Sequence, residues 1–441
     1  MSVNQALGRA DGGRLPAGFR HRDIDERRTE LRRAFSLGEE EWQGLAAPRL
    51  LLEIADVMVE SAIGCVPLPL GIADGFLVDG VEVAIPMAIE EPSVIAAASF
   101  AARLVRRDGG FQTWASEPLM IAQVFLEGVT EEGEKNLSAC EPRVRASLAI
   151  VLGSLERRGG GYRSFRTARL DRSRTVKVEI LVDVRDSMGA NRLNTAAESL
   201  RPLLEKESGG RALMAILSNA ATERTAGARF TIPVERLGSR LPEGMSVEEA
   251  ARRIVAASEI AQEDPSRAVT HNKGIMNGIS SLALATMNDT RAVEAAAHAW
   301  AARDGRYRGL SRFAVADRVL SGEIELPLAL ATVGGSVDFH PASRAALAIL
   351  GNPDAPRLGR IAAALGLAQN FAALLALVTH GIQEGHMRHH AARLAWRAGA
   401  RGAEVRGLAE AICREGASGL DEARSLRARL AGGPRGPGGP G

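Results

Sequence analysis

Apolar residues recur at helical spacing over positions 25–35 and again over 47–63, so the pattern predicts two helices early in the chain. Residues 66–71 contain Pro67 and Pro69, too many prolines for a central strand. From 76 to 85 two apolar runs flank Asp79-Gly80, which predicts a β-hairpin. Glu91-Pro92-Ser93 opens a predicted helix running to about residue 107, since proline suits a first turn whose N–H has no helical partner anyway. Gly109-Gly110 stops it and marks a candidate domain boundary. Beyond it, strands are predicted at 119–125, 176–184 and 212–217, with helices at 136–157 and 193–205 between them, a compact α+β module. A further strand is predicted at 323–333, ending at Gly334-Gly335, and the chain from 357 to 430 reads as almost wholly helical, broken by Gly381, Gly385 and Gly402. Residues 1–20 read as an arm, and 432–441, rich in glycine and proline, as a disordered tail.

The expected fold class is therefore α+β, or mixed α/β, and 441 residues suggest two or three domains. The 55 basic and 53 acidic residues leave a net charge of +2, which offers no electrostatic case for nucleic acid or an anionic membrane. Cys65, Cys140 and Cys413 are scattered, so neither a disulfide framework nor a zinc cluster is expected. Residues 1–28 are polar and hold no apolar signal core, and no uncharged apolar run reaches bilayer length, so a cytoplasmic, membrane-free protein is expected.

Four segments carry candidate chemistry. Glu91 stands before Pro92 and Ser93 at a helix start, where an acidic residue ordinarily favours the positive end of the dipole. In Asp183-Val-Arg-Asp186-Ser-Met-Gly-Ala-Asn191 an apolar strand runs through small residues into a helix, a junction that presents N–H groups to an anion such as a pyrophosphate. The plain alternative is a helix capped by Asp186 or Asn191, and no Gly-x-Gly-x-x-Gly fingerprint supports a Rossmann domain. Arg267-Ala-Val-Thr270-His-Asn-Lys273-Gly-Ile-Met-Asn277 precedes Asn288-Asp289; most lysines are solvated, but a buried one polarises a carbonyl and stabilises charge on its oxygen. Gly385-His386-Met387 lies in a stretch holding four of the eight histidines; His386 and His390 share a helix face, yet His-x-x-x-His without a following glutamate is weak for zinc, and no metal is expected.

Together and in this order, from about residue 25 to about 430, these segments resemble the class II 3-hydroxy-3-methylglutaryl-CoA (HMG-CoA) reductases. The resemblance implies a large, mostly helical substrate domain in two parts (1–115 and 219–380). Between them it inserts a small non-Rossmann, ferredoxin-like cofactor domain (116–218), and a C-terminal helical flap (381–431) follows. It implies Glu91, Lys273, Asp289 and His386 as catalytic residues, with the lysine stabilising an oxyanion, the aspartate orienting it, and the histidine protonating a CoA thiolate. It implies Ser93, Arg267, Asn277, Gln369, Asn370 and His390 as substrate contacts, and Asp186, Met188, Gly189, Ala190, Asn191 and Asn219 as cofactor contacts. HMG-CoA, mevalonate and coenzyme A become the expected partners, in a homodimer or larger homo-oligomer. The overall match is nearest to NADH-using members, so NAD is expected, with NADP admitted: Arg163, Arg166, Arg169, Arg172 and Arg174 surround Asp171 ahead of the loop, and arginines suit a 2′-phosphate while a carboxylate suits a ribose. Three departures stand out: Ser61 where asparagine is usual, Met287 where glycine is usual, and the Val337-Asp338-Phe339-His340 stretch. A non-catalytic relative is the rival reading, and the presence of all four catalytic positions argues against it.

Overall fold

A computed structural model describes residues 14–19, 22–46, 52–381 and 383–431; the tail at 432–441, most of the arm and positions 47–51 of the second predicted helix lie outside them. Helix α1 (Ile24–Ala34) begins at a capping box, where the Asp23 carboxylate accepts from the Glu26 N–H and Glu26 accepts from the Asp23 N–H. Helices α2 (Glu39–Ala46) and α3 (Leu52–Met58) follow. Strands β1 (Leu70–Val78) and β2 (Val81–Ala88) form the predicted hairpin. Asp79 and Gly80 both take positive φ, 51° and 77°, which matches the turn's twist to that of the strands. Helix α4 (Val94–Arg106) lies on β1 and starts three residues later than predicted, because Pro92 and Ser93 form a turn and Ser93 sits at φ 75°.

After β3 (Gln112–Ala115) come β4 (Leu119–Glu127), α5 (Glu131–Ala139), α6 (Glu141–Glu156), β5 (Gly161–Leu170), β6 (Thr175–Asp183), α7 (Ala190–Ser208) and β7 (Arg211–Ser218). The last four strands form an antiparallel sheet in the order β5-β6-β4-β7, the ferredoxin-like arrangement. Val176, Val178, Ile180 and Val182 alternate onto its helical face against Leu193, Leu200 and Leu148. The predicted helix at 136–157 is two helices, because Pro142 cannot continue α5 and Cys140 closes one helix and opens the next. Strand β5 was not predicted. Its sequence is arginine-rich, as suits an edge strand, and its charges are met by Glu179 at 2.7 Å from Arg166 and by Asp183 at 2.6 Å from Arg163.

The chain then returns to the first unit through β8 (Thr225–Pro233), α8 (Val247–Glu263), α9 (Pro265–Ala285), α10 (Thr290–Ala301), β9 (Ser311–Ala316), β10 (Val319–Pro327), α11 (Ser336–Phe339), α12 (Pro341–Leu350) and α13 (Ala355–Val378). A second antiparallel sheet, β3-β8-β10-β9, packs against α13. The strand predicted at 323–333 therefore ends at Pro327; residues 328–333 leave the ladder and run to the cleft described below. Helix α13 is long and apolar enough to cross a membrane, but 78% of that stretch is buried inside the protein, with Phe371 5.0 Å from Phe230 between ring centres. It is apolar all round because it is covered all round. Helices α14 (Gln383–Arg397), α15 (Ala403–Glu415) and α16 (Leu420–Ala431) enclose a core of their own around Leu394, Leu408, Ile412 and Leu426. Gly385 lies within α14 and does not break it, whereas Gly381 and Gly402 both take positive φ outside helices.

Candidate active site

The segment between β6 and α7 turns on Gly189, the N-cap residue, at φ 80°. A Cβ there would lie 2.4 Å from Val184 Cγ1, so only glycine fits. Neither Asp186 nor Asn191 caps α7; Asp186 is spent elsewhere, its carboxylate accepting from the Ala355 N–H at 2.9 Å and its carbonyl from the Thr332 N–H at 2.9 Å. The first N–H groups of a 19-residue helix thus receive no side-chain cap and face a cleft of about 720 Å³. Asp186, Met188, Gly189, Ala190 and Asn191 line it on one side, Asn288, Asp289 and Gly334-Gly335 on the other. Arg158, Arg185 and Arg192 line it as well, and the Nη1 of Arg192 is buried without a partner among the described residues. A pyrophosphate fits this donor set, because helix N–H groups and guanidinium groups both offer hydrogens to phosphate oxygens. Asn219 lies in an exposed turn after β7 and does not line the cleft.

The loop rests on a residue that sequence reasoning missed. Arg224 is buried; it donates to the Ser187 carbonyl at 3.0 Å and to the Leu330 carbonyl, joining the loop before α7 to the segment that leaves β10. Burial pushes its guanidinium down to about 10, opposed by the nearby charges of Asp186 and Asp183, so it remains a cation at neutral pH. Nothing in Glu223-Arg224-Thr225 signals this, since an arginine before a strand ordinarily reads as surface. Asn288 closes the opposite wall by pairing with both the N–H and the carbonyl of Ala331, at 2.6 and 3.0 Å. Met287, at φ 51°, shows why glycine is usual there: the turn demands a left-handed residue, and Ser61 at φ 58° stands in the same position relative to asparagine.

The catalytic candidates fall into two groups. Asp289 caps α10, accepting from the N–H groups of Arg291 and Ala292 at 3.1 Å each. Ala88 at the end of β2 packs on Ala285 at the end of α9, which sets the turn bearing Glu91 and Ser93 toward the same end of the domain. Lys273 lies mid-helix in α9, with Arg267 before it and Asn277 one turn after it. It is neither in a loop nor buried: it is exposed and forms no hydrogen bond or ion pair among the described residues, so Asp289 does not orient it within this chain. Twelve residues separate it from Ala285, about 18 Å of helix, so one chain does not bring lysine and aspartate together. Gln369 and Asn370 are buried on α13 against α9. His390 on α14 is exposed, and the side chain of His386 lies outside the described residues.

Asn370 belongs to a polar core beneath the lysine face. The Ser311 hydroxyl donates to Asn370 Oδ1 at 2.7 Å, so His271 Nε2–H donates to the Ser311 oxygen, also at 2.7 Å. That leaves His271 Nδ1 as a buried acceptor without a partner among the described residues. Burial, and then the charge of Arg267, push the imidazole down to about 4. Because the folded value lies below the ordinary one, the unfolded chain binds this proton first as pH falls. The protein is expected to lose about 3 kcal/mol between pH 6.5 and 4, and a His271→Asn variant should show a flatter urea-midpoint profile over that range.

A ferredoxin-like module that aims a glycine-capped helix and arginines into a cleft, facing an aspartate of a helical body, defines a nucleotide-binding enzyme outside the Rossmann class. Residues 23–391 match the family described as hydroxymethylglutaryl-coenzyme A reductase. The chain is 42% identical over 430 residues to the 3-hydroxy-3-methylglutaryl-coenzyme A reductase of Archaeoglobus fulgidus, covering 96% of each. It is 36% identical over 381 residues to a probable reductase of Borreliella burgdorferi, covering 85% of each. A solved reductase from Streptococcus pneumoniae superposes with a TM-score of 0.80 at 39% identity, over 94% of this chain and 99% of that one. Another solved structure, the class II enzyme of that organism bound to NADPH in open conformations, gives 0.79 at 39% identity, over 82% and 99%. The chain belongs to the hydroxymethylglutaryl-coenzyme A reductase family, as its motifs imply, and it is an oxidoreductase that uses a nicotinamide cofactor.

Proposed function

We propose that the protein interconverts HMG-CoA and mevalonate plus CoA in a site assembled from two subunits. The carrying observation is that one cleft joins the uncapped N-terminus of α7 to Asp289, while Lys273 stands exposed about 18 Å along α9. A twofold assembly would set the Lys273 face, with Arg267 and Asn277, against the Glu91 and Asp289 end of the partner. Val57, Val59, Ile63 and Val66 form an exposed apolar run, 57% to 100% accessible, that a second copy would cover. The bound nicotinamide supplies hydride chemistry. The chain's own groups handle charge and protons. Lys273 stabilises the carbonyl oxygen as it becomes negative, Asp289 of the facing subunit orients the ammonium, and Glu91 donates the proton. His386 protonates the departing CoA thiolate when the hemithioacetal collapses.

The resemblance to NADH-using members supports NAD as the cofactor. A second reading, NADP, is favoured by Arg158, Arg185 and Arg192 in the cleft and by the engagement of its carboxylates with backbone N–H groups. Absorbance of reduced nicotinamide, followed with mevalonate, CoA and either cofactor, tests both. Reduced cofactor should form only when mevalonate and CoA are both present. A kcat/KM about tenfold higher with NAD upholds the first reading; the reverse, erased by Arg192→Ala, upholds the second. No turnover in either direction by folded protein would sink the reductase assignment.

A further inference from the structure

Helices α14–α16 pack on one another, and the connection from α13 runs through Thr379 and through Gly381 at φ 80°. Such a joint leaves the orientation of the unit to be set elsewhere. Arg393 supplies a contact across the joint: its Nη2 donates to the Glu90 carbonyl at 3.1 Å, across 303 positions of sequence. Glu90 immediately precedes Glu91, on the turn that also carries Ser93. On α14, positions 386, 390 and 393 follow the i, i+4, i+7 spacing of a single helix face. The contact therefore ties the stretch of α14 that begins one turn before Arg393 to the Glu91 turn.

We propose that Arg393 is a positioning residue that latches the C-terminal helical unit onto the Glu91 turn and so registers His386 against the reacting thioester; this rests on the roles given above to Glu91 and His386. Three physical points support it. The acceptor is a backbone carbonyl, so the latch reads the path of the turn and not the side chain of Glu90. The bond is charge-assisted, hence strong enough to fix an orientation. It is also single and exposed, hence weak enough to open and re-form as substrate enters and product leaves. Arg393 makes no ion pair among the described residues that would explain it otherwise.

The test uses the full-length chain with Arg393→Ala and Arg393→Lys and two substrates. Reduction of HMG-CoA requires expulsion of a thiolate, whereas reduction of mevaldehyde does not. Arg393→Ala should lower kcat for HMG-CoA about tenfold or more with KM within about twofold, leave mevaldehyde reduction near wild type, and be largely rescued by lysine, which still donates to the carbonyl. Cleavage of the chain near residues 379–382 by a broad-specificity protease should be faster in Arg393→Ala. An unchanged HMG-CoA kcat, an equal loss on both substrates, or unchanged hinge cleavage overturns the proposal. A wild-type protein inactive on both substrates, with hinge cleavage still faster in Arg393→Ala, would instead refute the catalytic roles and leave the latch standing.

Discussion

Lys273→Ala is expected to cut turnover of HMG-CoA about 100- to 1,000-fold while leaving the fold intact. The magnitude follows from removing the one cation offered to the developing oxyanion. The stability expectation follows from its placement: Lys273 is exposed in mid-helix and bonded to nothing among the described residues of its own chain, and alanine is a good helix former, so the urea midpoint should barely move. Mixing supplies the sharper measurement. If Lys273 serves the Asp289 of a facing subunit, Lys273→Ala and Asp289→Ala proteins, each inactive, regain activity when their subunits are exchanged. Random pairing gives one intact site in each mixed dimer, about a quarter of wild-type activity. No recovery after verified exchange would refute the two-subunit site.

Arg224→Met is expected to act on both stability and cofactor binding. The side chain is buried and bridges the Ser187 and Leu330 carbonyls, so its loss leaves two acceptors unpaired and removes the counter-charge of Asp186 and Asp183. A destabilisation of about 3 kcal/mol is expected, read as a lower urea midpoint. Because Ser187 lies in the loop that ends at Gly189, the KM for the dinucleotide should rise with it, and more than the KM for HMG-CoA. Arg224→Lys reaches at most one carbonyl and should fall between. A Met variant with wild-type stability and an unchanged cofactor KM would remove Arg224 from this account.

Much of the architecture was legible before any coordinate. The hairpin followed from Asp79-Gly80, because few residue pairs tolerate two positive φ angles in succession. Strands β4 and β6 followed from runs of branched apolar residues that the fold covers, and β7 from its apolar run, although Leu213, Met214 and Ile216 are exposed. The motifs carried the family, since Thr-His-Asn-Lys-Gly and Asp-x-Met-Gly-x-Asn are combinations that packing alone does not require. Strand β5 was hidden because its arginines are satisfied by carboxylates on neighbouring elements, and a one-dimensional pattern does not record those partners.

What the sequence by itself determined is local: which segments must be helix or strand, where glycine or its left-handed equivalent is needed, and which polar motifs carry the family. What only the tertiary structure decided is convergence. Asp186 meets Ala355 although 169 positions separate them, and Arg224 reaches the Leu330 carbonyl across 106. Lys273 and Asp289, near in sequence, are held apart by the rise of the helix between them. Asn370 turns inward to Ser311, and Arg393 reaches Glu90, because helix–helix packing sets those faces. The physical reason is the same throughout: backbone preference acts over a few residues, whereas burial and hydrogen-bond satisfaction act through space, on groups whose separation along the chain carries no information.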